Sequence, residues 1–92
     1  MTIREPKKIP VQDSGEKVLE EKFLILHNDD VHTFDYVIDA LIDICEHGYE
    51  QAIQCTYLVH YKGKCDVKKG SRAELKPMKD ALTERELNAT ID

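Results

Sequence analysis

Ninety-two residues with 41% hydrophobic content suit one small core, which buries a modest share of the chain's surface and leaves no room for a separate catalytic domain. The formal net charge is −5, and it is segregated: residues 20–50 carry nine acids against one base, residues 62–79 seven bases against two acids. The bases (Lys62, Lys64, Lys68, Lys69, Arg72, Lys76 and Lys79) have no aromatics between them to stack on nucleobases, so they read as a solvated face or a protein contact and exclude nucleic acid as a partner.

Residues 1–16 hold Pro6, Pro10, Gly15 and scattered charges without periodicity, the pattern of a flexible N-terminal extension. No apolar run follows its charges, and no later stretch approaches the roughly 20 apolar residues of a membrane span. From Lys17 the pattern changes, and residues 17–92 read as the folded core. Val18, Phe23, Leu24, Ile25 and Leu26 form a β-compatible run ending at His27. After Asn28-Asp29-Asp30, Thr33 is placed to N-cap a helix with Asp35 in its first turn. Phe34, Val37, Ile38, Leu41, Ile42 and Cys45 recur at helical spacing, with Asp35, Asp39, Asp43 and Glu46 opposite, and Gly48 is the expected stop.

A second helix is expected over Tyr49–Tyr61, where Ala52, Ile53, Thr56, Tyr57, Val59 and His60 fall at three- and four-residue steps before Gly63. Lys64–Lys68 alternates as a short strand, and Lys69-Gly70-Ser71 turns out of it. Ser71-Arg72-Ala73-Glu74 matches a capping box and opens a third helix, which Pro77 should kink or start later. Leu87–Ile91 closes the chain as a strand. The order β-α-α-β-α-β predicts a single small α+β domain, a three-stranded antiparallel sheet with three helices on one face.

Cys45, Cys55 and Cys65 are odd in number and lack CxxC spacing, which signals neither a disulfide framework nor a zinc knuckle. They read as small buried hydrophobes in a reducing, cytoplasmic protein.

The chemistry concentrates where the first strand runs into an amide and two adjacent carboxylates. Asn28 and Asp30, two apart in a locally extended loop, can face one way while Asp29 faces another. A primary ammonium carries three donors and no acceptor, so an Asn carbonyl, an Asp carboxylate and a neutral His nitrogen suit it. His60 is the candidate third acceptor, Phe34 and Val37 the apolar wall on the first helix, and Thr56 and Val59 that on the second. An ammonium beside a hydrophobic cavity describes a free amino terminus with a bulky first side chain. The plainer reading has Asn28-Asp29-Asp30 making Asx-turns ahead of the helix and His60 as a hydrogen-bonded core residue. A metal site from His27, Asp29, Asp30 and His32 is a third option, although the spacing matches no established ligand motif. No nucleophile stands beside an acid or base, so catalysis is not expected, and no cofactor is implied.

The segments Leu24–Leu41 (LILHNDDVHTFDYVIDAL) and Leu58–Cys65 (LVHYKGKC) resemble the ClpS family of adaptors for the ATP-dependent Clp protease, over a match from about Leu19 to the C-terminus. The resemblance implies a non-enzymatic protein that delivers substrates with an N-terminal Leu, Phe, Tyr or Trp to the N-terminal domain of a Clp-type AAA+ unfoldase; a monomer is the default expectation for a chain of this size. It implies that Asn28, Asp30 and His60 hold the α-amino group, and that Leu26, His32, Phe34, Val37, Thr56, Val59 and Leu87 enclose the side chain. It further implies a role for the N-terminal extension in hand-over and for Glu74 and Lys76 in docking. The chain departs from the family at His32-Thr33-Phe34, where a Thr-Pro-Met run is common, and at Thr56, where Met or a similar apolar residue is usual. A domain of the same fold that docks a partner without reading amino termini is the alternative.

Overall fold

A computed structural model describes residues 20–92; the expected N-terminal extension, the start of the core at Lys17 and the strand residue Val18 lie outside them. The elements are β1 (Lys22–His27), α1 (Phe34–Cys45), α2 (Tyr49–Lys62), β2 (Lys64–Gly70), α3 (Arg72–Glu84) and β3 (Asn88–Ile91). The sheet is antiparallel in the order β2-β1-β3, so the most apolar strand lies at its centre. Alternation sends Leu24 and Leu26 of β1, Cys65 and Val67 of β2 and Ala89 of β3 into one core. That core also takes Val37, Ile38, Leu41 and Cys45 from α1, Ala52, Cys55 and Val59 from α2, and Leu75 and Leu82 from α3. The helices therefore share one face of the sheet, as the α+β reading expects.

Helix boundaries follow from capping groups. Thr33 accepts from the Tyr36 N–H through its side chain, and Ser71 and Glu74 form the full capping box at the head of α3. Gly63, at φ 93°, closes α2 with its N–H on the Val59 carbonyl. Three expectations are corrected. The helix α1 stops at Cys45, not at Gly48: Glu46 takes the left-handed position at φ 60°, and Gly48 instead N-caps α2. The strand β2 continues through Lys69 and Gly70, because the partner strand keeps pairing back to Lys22 opposite Gly70. Pro77 does not delay α3, because its missing N–H costs one bond whereas the capping box at Ser71 fixes the start.

The register sets the position of the site. His27 is opposite Lys64 on one side and Asn88 on the other, so the end of β1 meets the beginnings of β2 and β3. Beyond the last pair, the Asn28 N–H donates to the Gly63 carbonyl at 2.9 Å. That bond holds the Asn28 loop against the C-terminal turn of α2, where His60 sits. At the end of α3, Glu86 is left-handed (φ 66°), its N–H bonds the Thr83 carbonyl at 2.9 Å, and the Leu87 N–H bonds the Leu82 carbonyl at 3.0 Å. This is a Schellman closure, with Leu82 and Leu87 both buried beneath it. The basic run is accounted for in part by the edge strand β2, where Lys64 and Lys69 stand exposed and discourage edge-to-edge pairing.

Candidate functional site

A cleft of about 180 Å³ opens at the strand ends, lined by Leu26, His27, Asn28, Asp29, Asp30, His32, Thr33, Phe34, Val37, Thr56, Val59, His60 and Leu87. Every residue expected to hold an α-amino group or enclose a side chain borders this one cavity. Glu74 and Lys76 do not; they stand exposed on α3, where Glu74 Oε1 accepts from the Ser71 N–H and Lys76 pairs with Asp80 at 3.0 Å.

The Asn28–Asp30 loop is folded, not extended. Asp30 is left-handed at φ 61°, a conformation Asp tolerates better than most residues. Asn28 Nδ2 donates to Asp30 Oδ1 at 2.9 Å, and the Asp30 N–H returns a bond to Asn28 Oδ1 at 3.3 Å. The two side chains therefore converge through reciprocal bonds, not through strand-like alternation. Asn28 Oδ1 and the second oxygen of Asp30 remain as acceptors, and the Asp30 carboxylate is exposed.

Asp29 does more than complete a turn. Its Oδ1 accepts from the N–H groups of Val31 (3.0 Å) and His32 (3.4 Å), and its Oδ2 lies 2.7 Å from His32 Nδ1. Burial pushes the Asp29 carboxyl up, but the Val31 N–H, the His32 ring and the His32 N–H outweigh it, and the group ends below its ordinary value. A carboxylate only accepts, so Nδ1 of His32 carries the proton, and the ring stacks on Tyr36 with centroids 4.6 Å apart. The sequence reading missed this pairing, together with the cleft positions of His27 and Thr33; an acid three residues before a histidine was its available signal.

His60 is exposed and has no hydrogen-bond partner among the described residues; Phe34 and Tyr61 hold its ring edge-on, at 5.2 and 4.8 Å. It is thus a rim residue and not a hydrogen-bonded core histidine. Below it the walls are apolar: Leu26, Val37, Val59 and Leu87 are all buried. The Thr56 hydroxyl donates to the Ala52 carbonyl at 2.7 Å, which spends its proton inside the helix and limits the polarity it brings to the cleft.

The metal alternative is not assembled. His27 Nε2 is hydrogen bonded to Thr90 Oγ1 at 2.8 Å, His32 is held by Asp29, and no three His, Cys, Asp or Glu among the described residues are placed to share an ion. Among the described residues, no helix is long and apolar enough to cross a membrane.

Residues 20–90 match the family described as ATP-dependent Clp protease adaptor protein ClpS. The chain belongs to the ClpS family. It is 34% identical over 79 residues to the ClpS adapter protein of Oleidesulfovibrio alaskensis, covering 76% of each chain. Its fold matches that of Agrobacterium tumefaciens ClpS2, solved bound to L-phenylalaninamide, with a TM-score of 0.69 over 82% of this chain and 98% of that one, at 18% identity. ClpS proteins are adaptors, not catalysts. Two of the buried thiols are held in the protonated form: burial pushes Cys45 up to about 11 and, with the neighbouring Cys55, Cys65 up to about 12.

Proposed function

We propose that this ClpS protein binds proteins whose first residue is Leu, Phe, Tyr or Trp and presents them, as a monomer in the cytoplasm, to the N-terminal domain of a Clp-type AAA+ unfoldase. The observation that carries the reading is the convergence of Asn28, Asp30 and His60 on the mouth of a cleft whose walls are apolar. The substrate's ammonium donates its three protons to Asn28 Oδ1, an Asp30 carboxylate oxygen and a neutral His60 nitrogen. The Asn28–Asp30 bonds hold two of these acceptors in place beforehand, so little ordering is left to cost affinity. The first side chain then fills the cleft.

Size supports this assignment. A cavity of roughly 150 Å³ accommodates benzene, and the cleft here measures about 180 Å³. One aromatic or leucyl side chain fits; a drug-sized molecule, which needs at least about 300 Å³, does not. Burying that side chain contributes roughly 1.5–3 kcal/mol. The A. tumefaciens relative's ligand, L-phenylalaninamide, is itself a phenylalanine with a free amine and a blocked carboxyl, the chemistry of a chain's first residue. Glu74 and Lys76, exposed on the two flanks of α3 either side of the buried Leu75, are the residues we assign to contact with the unfoldase.

The test is a titration of three peptides alike except at their start: free-amine Phe, N-acetylated Phe and free-amine Ala. Binding of the first alone is expected. Equal affinity for the acetylated peptide would remove the ammonium site, and equal affinity for the Ala peptide would remove the side-chain pocket.

A further inference from the structure

The aromatic side chains at the cleft mouth continue past it. On α2, residues advance by about 100° each, so Thr56 and His60 share one stripe and Tyr57 and Tyr61 the next. Tyr57 and Tyr61 are stacked, with centroids 5.5 Å apart and planes inclined by 13°. Both touch the cleft's own rim: Tyr57 packs edge-on against Phe34 at 5.2 Å, and Tyr61 against His60 at 4.8 Å. They remain largely uncovered, Tyr61 71% and Tyr57 49% exposed, with Leu58 beside them at 43%. Together with Gln54 and Lys62 these residues outline a shallow apolar groove. Three neighbouring exposed hydrophobes on one helix face are more than a soluble surface needs, and a rim continuous with a binding cleft is where such a patch is useful.

We infer that the Tyr57–Tyr61 face is a second subsite, which takes an aromatic side chain from the second residue of the same substrate whose first residue fills the cleft. The inference rests on the reading of the cleft as a site for amino termini. Consecutive Cα atoms lie about 3.8 Å apart, so a chain anchored at Asn28, Asp30 and His60 passes its second side chain over rings that lie about 5 Å from Phe34 and His60. The groove has no carboxylate among its lining residues and is bordered by the Lys62 ammonium, so an uncharged planar side chain suits it better than a cationic one. Offset stacking on Tyr61 is the expected contact.

The experiment compares peptides beginning Phe-Ala, Phe-Trp and Ala-Trp, otherwise identical, on the full chain and on Tyr61→Ala and Tyr61→Phe. Phe-Trp is expected to bind the unaltered protein roughly two- to twelvefold more tightly than Phe-Ala, the range of one aromatic pair. Tyr61→Ala should bring the two within twofold of each other, even where loss of its contact with His60 weakens both, and Tyr61→Phe should restore the gap. Equal affinity of Phe-Trp and Phe-Ala for the unaltered protein overturns the subsite, as does a gap that survives Tyr61→Ala. Binding of Ala-Trp as tight as that of Phe-Ala overturns the cleft reading instead, and binding of none of the peptides overturns both. Sedimentation of the same proteins tests the other occupant: a dimer that Tyr61→Ala dissociates assigns this face to a second copy and overturns the subsite.

Discussion

Substituting Asn for Asp30 removes one negative charge and leaves the local geometry its support. Asn tolerates the left-handed conformation at φ 61° as readily as Asp does, and its side-chain oxygen can still accept from Asn28 Nδ2. Asp30→Ala would mix loss of charge with backbone strain and is the poorer probe. Hydrogen bonds to a charged group contribute roughly 1.5–3 kcal/mol against about 0.5–1.5 for neutral pairs. The difference, about 1–1.5 kcal/mol, is a loss of roughly five- to twelvefold in affinity for a free-amine Phe peptide. Isothermal titration at low and at physiological salt measures it, and the loss should shrink with salt because the carboxylate is exposed. Binding of the acetylated peptide, already weak, should not change. The melting temperature should stay within roughly 2–4 °C, as for other surface changes in a domain of this size. Affinity within twofold of the original, or a loss shared equally by the acetylated peptide, would refute the ammonium assignment.

Other consequences follow from the surrounding structure. Gly63→Ala forces a Cβ into the left-handed cap at φ 93°, which should cost about 1 kcal/mol or more in a urea titration. Because the Gly63 carbonyl holds Asn28, the same change should weaken Phe-peptide binding; intact affinity would uncouple the cap from the site. Asp29 is held below its ordinary 3.8, so its stabilisation is complete above that value and disappears as pH falls through the lowered one. The stability gap between the protein and Asp29→Asn should therefore be constant near neutrality and close in acid, and a gap unchanged down to pH 2 would contradict it. Cys45 and Cys65, raised to about 11 and 12, should react with a thiol reagent at pH 8 only after urea unfolds the chain.

How much of this was legible depended on whether the signal was local. Thr33 and the Ser71–Glu74 box announce helix starts, because a cap needs only its own next few residues. The stop of α1 was misplaced because left-handed residues are usually Gly or Asn. Here Glu46 takes that conformation, with its N–H and that of His47 both closing on the Leu41 carbonyl. The grouping of Asn28 with His60 was suggested by residue type, yet its physical cause is the Asn28–Gly63 bond, a long-range consequence of β1–β2 register. The folded loop was not foreseen, since alternation and an Asx-turn both bring residues two apart to one side. Leu87 was placed in a strand, but it reaches the cleft as the closing residue of a Schellman turn.

The two adjacent aspartates no longer oppose each other once their partners are known. Asp29 spends its charge inward, on two N–H groups and His32, whereas Asp30 keeps an exposed carboxylate whose partner is the Asn28 amide. Asp30 therefore places one poorly compensated charge at the mouth of an apolar cleft, and a ligand with both an ammonium and a bulky side chain suits both features at once. Such a ligand binds the folded state alone, because the unfolded chain has no cleft. At 100 times its Kd a free-amine Phe peptide should therefore stabilise the protein by about 2.7 kcal/mol. For a domain of this size that corresponds to a rise in Tm of roughly 10–20 °C, which scanning calorimetry reads directly. The acetylated peptide at the same concentration should give a small fraction of that shift, and Asp30→Asn should reduce it for the free amine. An equal shift with the acetylated peptide would place the stabilisation in the apolar walls and leave the exposed carboxylate without a role.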